Sequence, residues 1–425
     1  MLTFADDLKS DNGIYIILNI KRLRKKMSKI DAPWGEASLT HHNRITSTKH
    51  HARYALLTQY FMMGFVYASL VSRYPAINAH YGMSIRELSY IPLSMAIGSL
   101  IITPMCCHLS ARFGSKKLTA LSYAYMLLLP LMTLMPHKLL VFPFCALYGM
   151  LVTITDVAIN GNSILVENAY KRPVVSMFHA LYYVGVCCGA LLSILFITYG
   201  FPVYVHHLSV ALFSVVVIFY IRRFFLQETI TRTERVEKRP FLILPKGILL
   251  LIAFIALCSR VTEGSFTNWS TVYMKTIVDI PENLAPLGLT IYAAFMAIGR
   301  FFGDRLRKHY SDPTILFWSC LLTAFGILTI ISNPHFICAA AGFFIAGLGI
   351  SCLVPIIYSL AGKQKGVNPG MGIAMVNTVS STAFLFGPFL IGAIADATSM
   401  RVAYGYVFGL TVIMSILTFR LKNHK

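Results

Sequence analysis

Of the 425 residues, 56% are apolar and only 13% are charged, and the mean hydropathy is +0.66. A soluble chain of 47.4 kDa needs far more charge to coat its surface, so a water-soluble enzyme or adaptor is excluded. The net charge of +20 invites a nucleic-acid reading, but it is spread over many separate loops, which suits anionic lipid headgroups and excludes a nucleic-acid partner.

Residues 1–53 are polar and basic. Their one apolar patch, Ile14–Ile20, is too short to span a bilayer and lacks a small-residue cleavage site after it, so no signal peptide is read. The basic cluster Lys21–Lys26 is either a lipid-binding or regulatory segment or part of a disordered cytoplasmic tail. Met27 is an alternative start.

Twelve apolar runs follow, over 54–76, 88–109, 117–136, 139–165, 175–198, 203–221, 247–274, 288–304, 313–331, 335–361, 369–394 and 402–419. Each approaches the roughly 20 residues that a helix needs to cross ~30 Å of hydrocarbon. With the N-terminus inside, the inner segments hold 30 of the 37 Lys and Arg residues. The outer loops keep only Arg86, Lys138, Lys275 and Arg401, so the basic bias places both termini in the cytoplasm. The charged segment Arg222–Lys246 is the longest internal loop and divides the spans six and six.

The expected fold is therefore all-α and integral to the membrane, with 12 transmembrane helices in two pseudo-symmetric six-helix bundles. The expected parts are a basic cytoplasmic tail (1–53), an N-terminal bundle (54–221), a cytoplasmic linker (222–246) and a C-terminal bundle with a short tail (247–425). All nine cysteines fall inside spans without metal-ligand spacing. No disulfide, metal site or cofactor is expected.

A carboxylate at bilayer depth costs ~2.5–3.5 kcal/mol on insertion scales, so it usually faces the bundle interior and has a task. In span 4, Thr153, Asp156, Asn160, Ser163 and Glu167 recur at helical spacing and form one polar stripe. A carboxyl in a dry setting favours its neutral form. Asp156 could thus take a proton facing an acidic exterior and release it inward. Its alternative role is a structural hydrogen-bonded contact.

Span 7 carries a second stripe of Arg260, Glu263, Thr267 and Ser270, with Asn268 and Trp269 beside it. Arg260 and Glu263 are spaced i,i+3 and can pair; Glu263 is otherwise a second proton-coupling candidate. Trp269 reads as an interface anchor ahead of a sugar-stacking platform. In span 1, Tyr60, Tyr67 and Tyr74 stand at heptad spacing, either as packing or as polar-tipped walls for a polyol. Arg73 at the exit of span 1, His179 in span 5 and Asn377 with Ser381 in span 11 are further solute-binding candidates. Their bland roles are snorkelling, a neighbourly hydrogen bond and inter-helix glue. Gly185 and Gly189 in span 5 permit a close helix crossing.

Two basic turns lie at matching places in the halves, Leu109-Ser-Ala-Arg-Phe-Gly-Ser-Lys-Lys117 and Phe302-Gly-Asp-Arg-Leu-Arg-Lys308. They resemble the G-x-x-x-D-R-x-G-R-K turn of the major facilitator superfamily. The second keeps the acid–base pair Asp304-Arg305; the first keeps Arg112 but has Ala111 for the acid and Cys107 for the leading glycine. The resemblance implies gating roles for Arg112, Asp304 and Arg305. The strings Ser72-Arg-Tyr-Pro-Ala-Ile77, Asp156-Val-Ala-Ile-Asn160, Arg172-Pro-Val-Val-Ser-Met-Phe-His179, Glu263-Gly-Ser-Phe-Thr-Asn-Trp269 and Gly299-Arg-Phe-Phe-Gly-Asp304 look like the fucose-permease-like branch, especially its bacterial inner-membrane members. That branch carries a span-4 carboxylate followed four residues later by Asn, a pattern that Asp156 and Asn160 match. Its second carboxylate, in span 1, has no counterpart here. The family architecture lines the cavity with spans 1, 4, 7 and 10.

The function implied is secondary active transport by alternating access. A sugar-like small polar solute is favoured, coupled to a proton or Na⁺, in a bacterial inner membrane, with lipids as neighbours and the protein expected to act as a monomer. A drug or metabolite exporter on the same fold is the alternative. Gly185 and Gly189 begin the glycine-proline motif of drug/proton antiporters, but no proline follows before Phe201. A membrane-embedded transferase is disfavoured, because no clustered His/Asp/Glu set or nucleophile stands at the membrane face.

Overall fold

Apolar runs with capped ends become helices throughout. The computed structural model describes residues 49–120, 122–171, 174–226, 245–364 and 367–423, with the backbone alone at positions 107, 111, 122, 123, 304, 369, 422 and 423. The Lys21–Lys26 cluster, most of the 222–246 linker and the side chains of Cys107, Ala111 and Asp304 lie outside that description.

The N-terminal half runs α1 (Lys49–Val71), α2 (Tyr74–Tyr81), α3 (Ile85–Phe113), α4 (Ser115–Ala120), α5 (Ser122–Met132), α6 (Lys138–Tyr170), α7 (Val175–Thr198) and α8 (Val203–Ile221). The C-terminal half runs α9 (Ile248–Thr276), α10 (Leu287–His309), α11 (Asp312–Ser332), α12 (Phe336–Ile350), α13 (Leu353–Gly362), α14 (Pro369–Ala397) and α15 (Met400–Asn423). Among the described residues, 11 helices are long and apolar enough to cross a membrane. The expected span over 117–136 corresponds to α4 and α5, on either side of position 121, which lies outside the described residues.

Local chemistry sets the ends. Ser84 and Glu87 form a capping box at the start of α3: Ser84 Oγ accepts from the Glu87 N–H at 3.2 Å, and Glu87 Oε2 accepts from the Ser84 N–H at 2.9 Å. Gly82 closes α2 at φ 57°, a left-handed backbone that a side chain disfavours. Of the two expected turns the first holds in shortened form, with α3 closed by Gly114 at φ 78° before α4 begins at Ser115, and the second proves to be helix. Arg112 sits in the last turn of α3, and Arg305 lies inside α10, which runs on to His309. Nothing stops a helix at the bilayer surface, and cations at its C-terminal end interact favourably with the helix dipole.

Residues 53–425 form one compact unit. Within the halves α3 packs on α6, α5 on α8, α9 on α14, and α11 on α12 and α15. Across the halves α3 packs on α14 and α7 on α10. In span order these are pairs 2 with 11 and 5 with 8. A shift of six spans exchanges the two pairs, as a pseudo-two-fold relation requires. The expected close crossing in span 5 is made against α1. A Cβ on Gly185 would meet the Phe61 carbonyl oxygen, and one on Gly64 the Tyr182 carbonyl oxygen, each at 2.0 Å.

Contacts between the halves gather where α3 begins and α14 ends. Asp396 lies 3.7 Å from Arg86 Nε and accepts from the Arg86 N–H at 3.3 Å. Tyr90 stacks on Phe389, and Asn283 donates to Thr198 at 3.2 Å. Further along the helices, Asp156 of α6 and Asn377, Thr378 and Ser381 of α14 are exposed.

Candidate functional site

The central polar groups stand on α1, α6, α7, α9, α10, α13 and α14. Asp156 lies near the middle of the 33-residue α6. It is exposed, yet ringed by protein: Tyr60 of α1, Tyr125 of α5, Tyr182 of α7 and Arg260 of α9 all lie within its electrostatic reach. Groups from both halves therefore lie near a carboxylate that is not packed into the core. Four residues on, Asn160 accepts from the Tyr60 hydroxyl at 2.9 Å and donates to the Asp156 carbonyl at 2.8 Å. Ser163 donates to the Tyr60 oxygen at 3.3 Å, and Tyr60 packs on Phe178 and, edge-on, on His179. Glu167 ends the stripe differently, accepting from the Val174 and Val175 N–H groups at the start of α7 at 2.9 and 3.1 Å.

The α9 stripe is built around a charge cluster. Glu263 is buried and takes a hydrogen bond from the Tyr183 hydroxyl of α7. Its Oε1 lies 3.7 Å from Arg300 Nη2 of α10, and its Oε2 lies 3.9 Å from Arg260 Nη1. The Arg300 guanidinium covers the Tyr183 ring at 4.7 Å. Glu263 was expected beside Asp156 as a proton carrier. It is instead clamped by a phenol and two guanidiniums, and it joins the halves. Arg260 continues the network: its Nη2 donates to Tyr358 at 3.3 Å, and the Tyr358 hydroxyl donates to Asn377 at 2.6 Å. The Phe384 ring lies 5.3 Å from the Arg260 guanidinium carbon.

Tyr67 and Asn268 form a second tie between the halves, with Asn268 accepting from the Tyr67 hydroxyl at 2.9 Å. The other candidates lie elsewhere. Trp269 is wholly buried in the apolar core, which overturns its reading as an interface anchor and takes it out of reach as a stacking platform. Arg73 is also buried and donates from Nη2 to the Phe201 carbonyl at 2.5 Å, so it fastens the α7–α8 connection rather than facing Asp156. Arg112 and Arg305 contact ring faces on their own helices, Phe113 and Phe302. The ion pairs at that end fall to Arg307, which donates to Asp312 from Nε and Nη2 at 2.9 and 3.2 Å, with Lys363 Nζ at 2.8 Å from the same carboxylate. Arg300, Tyr183 and Tyr358 were not foreseen as site residues. A lone arginine inside the apolar run of α10 was the available signal.

A family model described as Major Facilitator Superfamily matches residues 249–425. The chain is 29% identical over 352 residues to an uncharacterised MFS-type transporter of Yersinia pestis, covering 82% of this chain and 90% of that one. It is 30% identical over 368 residues to an uncharacterised transporter of Sinorhizobium fredii, covering 86% of this chain and 96% of that one. The chain belongs to the major facilitator superfamily. The fold agrees: the nucleoside transporter NupG superposes with a TM-score of 0.70 at 10% identity, over 87% of this chain and 99% of that one. A bacterial homologue of the human lysosomal transporter Spinster gives 0.66 at 10% identity, over 88% and 96%. As a superfamily member the protein is a multi-pass membrane transporter, and its solute is a small molecule.

Proposed function

We propose that this transporter moves a small polar, sugar-like solute by alternating access and couples the movement to a proton carried by Asp156. The observation that supports this reading is the setting of Asp156, a mid-helix carboxylate that is not packed into the core although side chains of both halves lie near it. In hydrocarbon such a group is too costly to keep without a task. The neighbouring Tyr60, Asn160, Tyr358 and Asn377 offer the hydroxyl and amide groups that suit a polyol. Glu263 has a different part in this scheme, as the anchor that holds Arg260 and Arg300 and links α7 to α9 and α10.

With both termini in the cytoplasm, the end where Arg86 meets Asp396 is the outer one. Alternating access then requires the Arg86–Asp396, Tyr90–Phe389 and Ser89–Gly392 contacts to part while the inner ends close. The test is uptake of labelled sugars into proteoliposomes under an imposed pH gradient, with Asp156→Asn alongside wild type. Wild type accumulates solute; the variant exchanges it but does not concentrate it. Equal accumulation by both refutes the coupling role. Export as the physiological direction is distinguished by comparing everted with right-side-out vesicles.

A further inference from the structure

We infer that the transported solute carries a carboxylate, as an aldonate or uronate does, and that the Arg260 guanidinium receives it. This deepens the solute-path reading of the cavity and rests on it.

Four charged side chains gather near the centre: Glu263 of α9 pairs with Arg260 on the same helix and with Arg300 of α10, and Asp156 of α6 lies within electrostatic reach of Arg260. They differ in how far their bonding is used. Glu263 takes a hydrogen bond from Tyr183 and pairs with Arg300 at 3.7 Å, and Arg300 lies over the Tyr183 ring with its Nε buried and without a hydrogen-bond partner. Arg260 is the more accessible of the two guanidiniums and keeps spare donors. A guanidinium has five N–H donors. Arg260 gives one hydrogen bond to Tyr358 and makes one long ion pair, 3.9 Å, with Glu263. Its side chain remains 23% exposed. The Phe384 ring is stationed at 5.3 Å, and cation–π packing over a face leaves a guanidinium edge available. Asp156 acts on this guanidinium electrostatically, but among the described residues it forms no ion pair with it. A gap therefore separates an acid on one half from an underused guanidinium on the other.

Charge decides what fits the gap. With Asp156 ionised, two carboxylates balance two guanidiniums. When Asp156 takes a proton from the water of the cavity, one positive charge loses its balance in a setting where unpaired charge is expensive. A neutral sugar cannot restore the balance, and a carboxylate can. Its two oxygens match the guanidinium fork, which is the geometry of strong bidentate pairs. Solute and proton then enter together without leaving net charge behind. Tyr358 and Asn377 stand beside the fork to meet hydroxyls, and the exposed Phe384 offers an apolar face. The other titratable neighbours include Tyr60 and Tyr67 on α1, Tyr125 on α5, Tyr182 and His179 on α7, and Tyr292 on α10. His179 lies within reach of both guanidiniums.

The experiment uses the full-length protein in nanodiscs and measures thermal stabilisation by glucuronate and gluconate against glucose and myo-inositol, at mildly acidic and mildly alkaline pH. The acids stabilise and the neutral compounds do so far less, with tighter binding on the acidic side. Arg260→Gln weakens acid binding roughly 10- to 100-fold, and Arg260→Lys restores part of it. Asp156→Asn binds the acids with little pH dependence. Equal stabilisation by glucose and glucuronate overturns the inference while leaving the sugar reading intact. No stabilisation by either class overturns both. Undiminished acid binding in a folded Arg260→Gln protein removes Arg260 from the role.

Discussion

Two carboxylates sit inside this transporter at central positions, and their surroundings differ sharply. Glu263 is buried, hydrogen-bonded by Tyr183 and flanked by Arg260 and Arg300. Asp156 is exposed and feels Arg260 without pairing to it. A buried, paired charge is bound into the fold, because removing one partner leaves the others uncompensated. In the proposed scheme the acid with no ion-pair partner among the described residues is the one that exchanges a proton. The two residues look alike in sequence, each an acid in the middle of an apolar helix, and their partners separate them.

Four substitutions break or sharpen that contrast. The largest effect on transport is expected from Asp156→Asn. One pH unit can drive about tenfold accumulation through one-to-one coupling, and the variant loses that factor while its melting temperature stays near wild type, as read by uptake and thermal melts. Glu263→Gln shows the reverse pattern. It strands Arg300, costs about 3–5 kcal/mol and lowers the melting temperature of the purified protein. Tyr183→Phe removes only the hydrogen bond to that carboxylate, a loss of about 1.5–3 kcal/mol in the same assay. Tyr60→Phe removes a neutral inter-helix bond to Asn160, worth about 0.6 kcal/mol on average within membranes, and is close to silent in stability. If Asp156→Asn melts early while Glu263→Gln stays firm and uncoupled, the two roles have been assigned the wrong way round.

Much of the fold was legible because a bilayer imposes one length and one polarity on every span. The helices that cross needed only the lengths of the apolar runs. Helix ends were harder: Arg112 and Arg305 were read as loop residues, though α3 and α10 continue through them. The site was half legible. Periodicity singled out Asp156 with Asn160 and Arg260 with Glu263, because residues three or four apart share a helix face. It could not supply partners from other helices. Arg300, Tyr183 and Tyr358 join the cluster only when α7, α10 and α13 are packed. Trp269 was misjudged for a related reason. Its place along the helix suggested an interface, whereas its direction into the core is set by neighbours such as those around Phe266 and Tyr273.

The central claim is that water reaches Asp156 through a path walled by both halves. Its most direct test is modification of Asp156→Cys, in a protein with the native cysteines replaced, by a charged, membrane-impermeant methanethiosulfonate. The reagent reacts with thiols that meet water and spares those that meet lipid. Rapid labelling at 156, with Ser163→Cys on the same helix protected, is the predicted result. A thiol at 156 that stays unmodified in folded protein contradicts the account.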